Sequence, residues 1–563
     1  MNAKRMVSVF MVFLFCVLLT ACANKEDLAS KSQYPEFLPT ARKRLKEVVS
    51  YQCSADGFYI VKGYFNWKGN LLEEHCYAID EDIYTLDCKI AVYNTVDKKG
   101  NLIQSQGRYI SNPYHAIRDT VLVMEVIEDE TYDCRVLNED GNVELYIKQT
   151  KNANGKVTRE EYFSPNGRFL RSEEFDYRDN GTLSAYRGKN AKNELTYETQ
   201  CDGKGNFLTC LRYEENGRPS MQFSAEYDEK GRIKTYKTTP VSKTGALSET
   251  STVTEFHEDG RIMKHGGRDY IYTKAGKLRE ISGYQNEYIF DGAGYLLTHN
   301  VKKKGPYGVD IETKSTYKYD QYGRISSCVT ENTKTLAKET VLYFYAEDGA
   351  MTVSHTNQDG VNDNTVYTDA KGRLIKSVVY NKAYGSSHQT FEYDVSGKIT
   401  KVCDYDKGAL TKERFYEYNE YGDLIKLETK DYYSSGSLLT SEEYEYFENG
   451  YVKNHISRRK GEITHTEEYD GDGGHIYTEY SASEKGKKYR EITYDKYGNE
   501  IKSVYFARAG QEYDDIVICE YYPDDSLKKS MRYYNDEFQS GQEYDENGRV
   551  IRTYGPDENG AVA

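Results

Sequence analysis

Tyr319-Asp-Gln-Tyr-Gly323-Arg-Ile325 is the stretch that decides how this chain folds. Tyr319 closes a strand. Asp320 suits the first position of a turn, because its side chain can cap nearby backbone N–H groups. Gly323 tolerates the positive φ that ends a tight loop. Ile325 restarts a strand. The same grammar recurs at Tyr227-Asp-Glu-Lys-Gly231-Arg-Ile233, Tyr393-Asp-Val-Ser-Gly397-Lys-Ile399, Tyr418-Asn-Glu-Tyr-Gly422-Asp-Leu424, Tyr494-Asp-Lys-Tyr-Gly498-Asn-Glu500 and Tyr544-Asp-Glu-Asn-Gly548-Arg-Val550.

Weaker copies occur at Tyr213, Phe256, Tyr367 and Tyr446. The glycines of the later half fall at positions 349, 372, 397, 422, 450, 473, 498 and 548, mostly 23 to 28 residues apart. The last step is double, and Asp525 stands near its midpoint, where a glycine is expected. A period of this size marks an array of one supersecondary unit. Triplets such as Tyr317-Lys-Tyr319 and Tyr416-Glu-Tyr418 alternate with the two-residue period of strands. Asn-Gly pairs ending at Gly155, Gly167, Gly181, Gly217, Gly450 and Gly548 are hairpin signals. One hairpin cannot bury its own face, so neighbours must stack. The expected class is mainly β: an elongated, twisted single-layer or spiralling antiparallel sheet of tandem hairpins, about 25 residues each.

These motifs resemble the YD repeats of the RHS family, whose core reads Tyr-Asp-x-x-Gly-Arg-Leu, over roughly residues 150 to 563. The resemblance implies long β-sheets that spiral into shells, sometimes around a C-terminal toxin. Here the sequence ends in what reads as another turn, Tyr554-Gly-Pro-Asp-Glu-Asn-Gly560, so an open ribbon is the expectation. Tyr446-Phe-Glu-Asn-Gly450 and Tyr533-Tyr-Asn-Asp-Glu-Phe-Gln-Ser-Gly541 are similar to MORN repeats, which also imply single-layer sheets.

Ahead of the array, Lys4 and Arg5 precede an apolar run from Val7 to Leu19. That run is too short to span a bilayer, which needs roughly 20 residues. It reads as an export signal over residues 1–21. Leu19-Thr20-Ala21-Cys22 resembles the lipobox of bacterial lipoproteins, which implies lipidation of Cys22, anchorage to a membrane and a cell-envelope location. Residues 22–35 read as a polar tether, and 36–150 as an irregular β capping region opened by a helix from Phe37 to Val49. In that helix Thr40 would be the cap, with Leu45, Val48 and Val49 on one side; Trp67 would sit in a degenerate first hairpin. The array proper is placed at 151–563.

The formal net charge is −15, and an acidic surface repels phosphate backbones, so nucleic acid is not an expected partner. Beyond Cys16 and Cys22, nine cysteines remain, without Cys-x-x-Cys spacing. Cys53, Cys76, Cys88 and Cys134 could pair as two disulfides or stay reduced as small buried hydrophobes. Ten histidines are scattered singly, and neither a zincin, a nucleophile elbow nor a phosphate loop is present. No enzyme activity, metal or cofactor is expected. Asp470-Gly-Asp-Gly-Gly474 and Asn357-Gln-Asp-Gly-Val-Asn-Asp363 have calcium-loop character without the full pattern.

The functional clue is tyrosine, which numbers 56. Most of these rings are expected to pair across strands. Those on an exposed face, with Tyr317, Tyr319, Tyr416 and Tyr418 as candidates, could anchor a protein or glycan. The expectation is a membrane-anchored, non-enzymatic binding scaffold. The alternatives are an RHS-type shell for cargo supplied elsewhere and a structural spacer without a ligand.

Overall fold

The computed structural model describes residues 46–54, 57–65, 71–79, 86–96, 102–109, 120–127, 131–138, 141–283, 285–292, 295–304, 310–381, 385–432, 438–484, 486–507 and 514–556. These residues form 41 strands, β1 (Lys46–Ser54) to β41 (Val550–Tyr554), and among them there is no helix. Cys22, Trp67 and the export signal lie outside the described residues, as do the side chains of Cys53, Cys76 and Cys88.

The chain divides into two compact units. The first runs to Arg373 without residues 243–246, and the second runs from Leu374 with those four residues added. Within each unit every strand pairs antiparallel with its neighbours in sequence. The first β1 rung is Lys46↔Phe65, on β2 (Gly57–Phe65). Pairing continues across residue 150 without a break, from β8 (Val143–Lys151) to β9 (Val157–Phe163). The helix expected over residues 37–49 is corrected where it can be seen: Lys46, Glu47, Val48 and Val49 are the first residues of β1. The β-branched Val48-Val49 pair and Tyr51 favour an extended backbone, and the partner strand completes its hydrogen bonds.

The Tyr-Asp-x-x-Gly turns close as expected, with a specific geometry. Gly323 has φ +78. Its N–H donates to the Asp320 carbonyl (3.1 Å), and the Asp320 N–H donates to the Arg324 carbonyl (2.8 Å). Asp320 Oδ1 accepts from the N–H groups of Tyr322 and Arg324, both at 2.9 Å. Arg324 Nε donates to Asp320 Oδ2 at 2.7 Å. A register shift at Lys318/Tyr319 marks the bulge that such a loop requires. Asp525 takes the missing glycine's place with φ +68, a conformation Asp tolerates better than most residues. The Asn-Gly pairs sit in this same turn: Gly155 N–H donates to the Asn152 carbonyl at 2.9 Å. The two-residue turns are elsewhere, as at Lys407-Gly408 and Lys460-Gly461, where both residues have positive φ.

A strap joins successive turns. The Tyr393 hydroxyl donates to the Leu374 carbonyl (2.7 Å), Tyr418 to Ile399 (2.8 Å) and Tyr446 to Leu424 (2.6 Å). Tyr177, Tyr227, Tyr272, Tyr319, Tyr345 and Tyr521 do the same to Val157, Phe207, Ile262, Leu296, Ile325 and Glu500. In each case the acceptor opens the strand that follows an earlier turn. The motif tyrosine therefore ends its own strand and ties that end to a neighbouring one.

The first unit curls enough to build a core. β1 lies against β12 (Leu195–Cys201) and β13 (Phe207–Tyr213), and the Tyr51 ring meets Tyr227 at 5.3 Å. One continuous apolar cluster runs through this unit, including Ile60, Phe175, Tyr186, Tyr197, Phe207, Phe223, Ile281 and Leu296. Polar groups are buried beside it. Glu160 is fully buried, accepting from the Tyr162 hydroxyl (2.7 Å) and from Gln149 Nε2 (2.8 Å). The Arg171 guanidinium lies 4.2 Å from the Tyr162 ring centre. Burial pushes the Glu160 carboxyl up to about 7, against the lowering effect of Tyr162, Gln149, Arg171 and Lys151. Cys134 is a free, buried thiol, so the reduced alternative holds for it; Cys201, Cys210 and Cys403 are likewise free and buried.

Candidate functional site: an aromatic and histidine face in the second unit

Tyr416, one of the tyrosines singled out in the sequence, leads to this face through strand register. It stands on β30 (Ala409–Tyr418) opposite Leu427 of β31 (Leu424–Asp431). Leu427 is opposite Glu442 of β32 (Leu438–Tyr446), and Glu442 opposite Ser457 of β33 (Val452–Arg459). Ser457 is opposite His465 of β34 (Glu462–Tyr469), and Tyr469 opposite His475 of β35 (His475–Tyr480). His475 is opposite Tyr494 of β36 (Lys488–Tyr494). Residues directly opposite share a face, and alternate residues return to it. Tyr416, Tyr418, Glu442, Tyr444, His455, His465, Glu467, Tyr469, His475, Tyr477 and Tyr494 therefore share one side.

The rings on this side stack along the sheet. Tyr444 and His455 are 4.6 Å apart and nearly parallel (7°). Tyr469, His475 and Tyr494 form a row at 4.8 and 4.6 Å. His455 and His465 meet edge-on at 5.4 Å. Neighbouring rings thus occupy each other's faces, and the row offers edges and polar atoms more than open π faces. Burial, then the hydrogen bond to Glu467, raises the Tyr469 hydroxyl above its ordinary range, so it stays a donor. Burial lowers His475, against the attraction of Glu467 and Asp470.

Beside this row lies an open groove of about 510 Å³, lined by Tyr469, His475 and Tyr494, the acidic turn residues Asp470, Asp472 and Asp495, and Lys496, among others. The Asp470 run is a capped turn: Asp470 Oδ1 accepts from the N–H groups of Asp472 (3.0 Å) and Gly473 (2.7 Å). Asn357 does the same for Asp359 and Val361, both at 3.1 Å.

The four tyrosines proposed from sequence are divided between the units. Tyr317 packs against the core of the first, and burial is the main cause that raises its hydroxyl. Tyr319 is strapped to Leu296 and lies 4.8 Å from Tyr295. Tyr418 is strapped to Ile399, and Tyr416 stands half-buried on the same strand. Sequence reading missed His455, His465, His475 and Glu467 altogether. They stand at odd positions of consecutive strands, but only the register brings them together.

No family model matches this chain, and no curated protein matches it. Among solved structures it is similar to the Tc holotoxin pore of Photorhabdus luminescens, at 11% identity and a TM-score of 0.32, over 89% of this chain and 28% of that one. A TcdB2–TccC3 crystal structure is similar at 11% identity and TM-score 0.26, over 91% and 36%. A porin-like protein of Bacteroides vulgatus follows at 13% and 0.16, over 36% and 95%. The chain spans about a third of the length of these toxin chains. TM-scores this low do not establish a shared fold, and the architecture above rests on this chain's own strand pairing.

Proposed function

We propose that this chain is a non-enzymatic binding scaffold, exported and anchored to a membrane through Cys22, that holds an envelope or host glycan or protein segment on the second unit's aromatic face. The observation that carries this reading is the stacked row Tyr469–His475–Tyr494 beside an open groove. Such a groove is within the roughly 300–1,000 Å³ range of small-ligand sites. Polar edges and protonated hydroxyls suit hydrogen-bonded recognition, with the rings already ordered by stacking and little entropy left to lose.

The test is depletion binding. Residues 23–563 are spun with peptidoglycan, several insoluble polysaccharides and intact cells, and the unbound fraction is measured. Saturable loss that Tyr494→Ala abolishes is expected. Equal loss for wild type and variant, or no loss on any target, refutes the site. Competition by free sugar separates a glycan from a protein ligand. The anchor is tested apart, by fractionating cells that express Cys22→Ala; retention of that variant in membranes overturns it.

A second reading, an RHS-type shell for cargo supplied elsewhere, is favoured by the first unit, where β1 curls back onto β12 and β13. Co-purification of a second chain protected from protease, with no depletion on any surface, would select it.

A further inference from the structure

We propose that Glu442, His455 and His465 bind a divalent transition-metal ion of the zinc class, with Glu467 orienting His455. The proposal is independent of the binding reading above. The three residues come from three successive strands, and their candidate ligand atoms all lie within 4.8 Å of one another. Ligand atoms about 2.0–2.1 Å from a tetrahedral zinc are about 3.3 Å apart, so modest side-chain rotation closes the set. His455 Nε2 already lies 2.5 Å from Glu442 Oε2.

The surroundings are those that metal ligands need. Zinc-binding imidazoles usually give their second nitrogen to a carboxylate, which fixes tautomer and ring orientation. Here His455 Nδ1 faces Glu467 Oε2 at 3.4 Å, and Glu467 is itself held by the Tyr469 hydroxyl at 2.8 Å. Ser457 Oγ donates to the other Glu442 oxygen at 3.1 Å, leaving Oε2 toward the histidine. Tyr444 stacks on the His455 ring and holds its plane. The set is sheltered, with 14% of the His455 side chain and 24% of Glu442 exposed. Two imidazoles and a carboxylate match zinc-class ions rather than calcium, which takes only oxygen. Three protein ligands leave a fourth position for water or an incoming ligand. The competing explanation is an ordinary histidine–carboxylate pair, and it makes different predictions.

The test uses the full chain with a histidine-free affinity tag, stripped with EDTA, desalted and titrated with zinc chloride by calorimetry. Cobalt(II) serves as the spectroscopic probe. One zinc per chain is expected, with a rise in melting temperature and the visible bands of tetrahedral cobalt. His465→Ala and the isosteric Glu442→Gln should each abolish stoichiometric binding and the thermal shift while keeping the wild-type circular dichroism. Glu467→Gln should weaken binding by roughly 10–100-fold, as expected for an orienting partner. His388→Gln, at another stacked histidine of the same unit, should bind as wild type. No binding by wild type, or undiminished binding by His465→Ala and Glu442→Gln, overturns the proposal and leaves a plain ion pair.

Discussion

Glu160 makes the first unit sensitive to pH in a direction opposite to that of a salt-bridged acid. Its carboxyl is raised from 4.5 to about 7 by burial. Between those values the folded state binds more protons than the unfolded state, so stability falls as pH rises. That rise in the carboxyl's pKa is worth about 3 kcal/mol, present in full below about pH 4.5 and lost by about pH 7. The attraction of Arg171 and Lys151 is already contained in that shift. Glu160→Gln removes the titration without emptying the site. Its amide oxygen can accept from Gln149, and its NH₂ can donate to the Tyr162 hydroxyl, which rotates to accept. The assay is urea unfolding by circular dichroism at about pH 5 and about pH 8, following the transition that the substitution moves. Wild type should lose about 2.5 kcal/mol more than the variant between the two pH values. Parallel changes in wild type and variant would refute the reasoning.

Two further predictions concern the scaffold. Tyr393→Phe and Tyr418→Phe each remove one strap, costing about 1 kcal/mol. Hydrogen exchange of the neighbouring strand amides should quicken roughly fivefold and stay unchanged in distant repeats. Gly188 needs space: a Cβ there would lie 2.3 Å from the fully buried Tyr197 ring. Gly188→Ala should therefore destabilise the first unit by about 1–3 kcal/mol through overpacking. Gly397→Ala meets no atom and should lose only the cost of its φ of +86, about 1–2 kcal/mol. A first-unit melting temperature that Gly188→Ala leaves unchanged would show that packing at Tyr197 is looser than the structure has it.

The hairpin array was legible because its determinants are local. A Tyr, an Asp and a Gly at fixed offsets specify a strand end, a cap and a positive φ, and their recurrence gives the strands. Asp525 shows how far this goes, since position in the repeat located the turn where the glycine is missing. The Asn-Gly pairs show its limit. They marked hairpins, but the loop they sit in opens two places earlier and closes in the same way whether that residue is Asn152, whose side chain accepts two N–H groups of the loop, or Arg178, Glu214 or Phe447. Residues 46–49 were misassigned because apolar spacing in a short segment fits both a helix and a strand, and the partner strand decided. The candidate site was less legible still. His455 and Glu467 are 12 residues apart in sequence and directly opposite in space. A bulge of one residue would have moved either to the other face, so register, not composition, made the cluster.

The tyrosine strap also makes repeat number editable. Excising residues 394–418 would join Tyr393 to Asn419-Glu-Tyr-Gly422 and restore an intact turn motif. Tyr393 would still reach Leu374, and Tyr446 would still reach Leu424. Both flanking straps survive, because each ends on a backbone carbonyl that any residue supplies, while Tyr432 gives up its hydroxyl's bond to Glu413. A gene encoding such a chain can lengthen or shorten by whole repeats in a single recombination event that leaves the strap pattern in phase. Repeat count is then a quantity that selection can tune separately from the residues of the second unit's aromatic face.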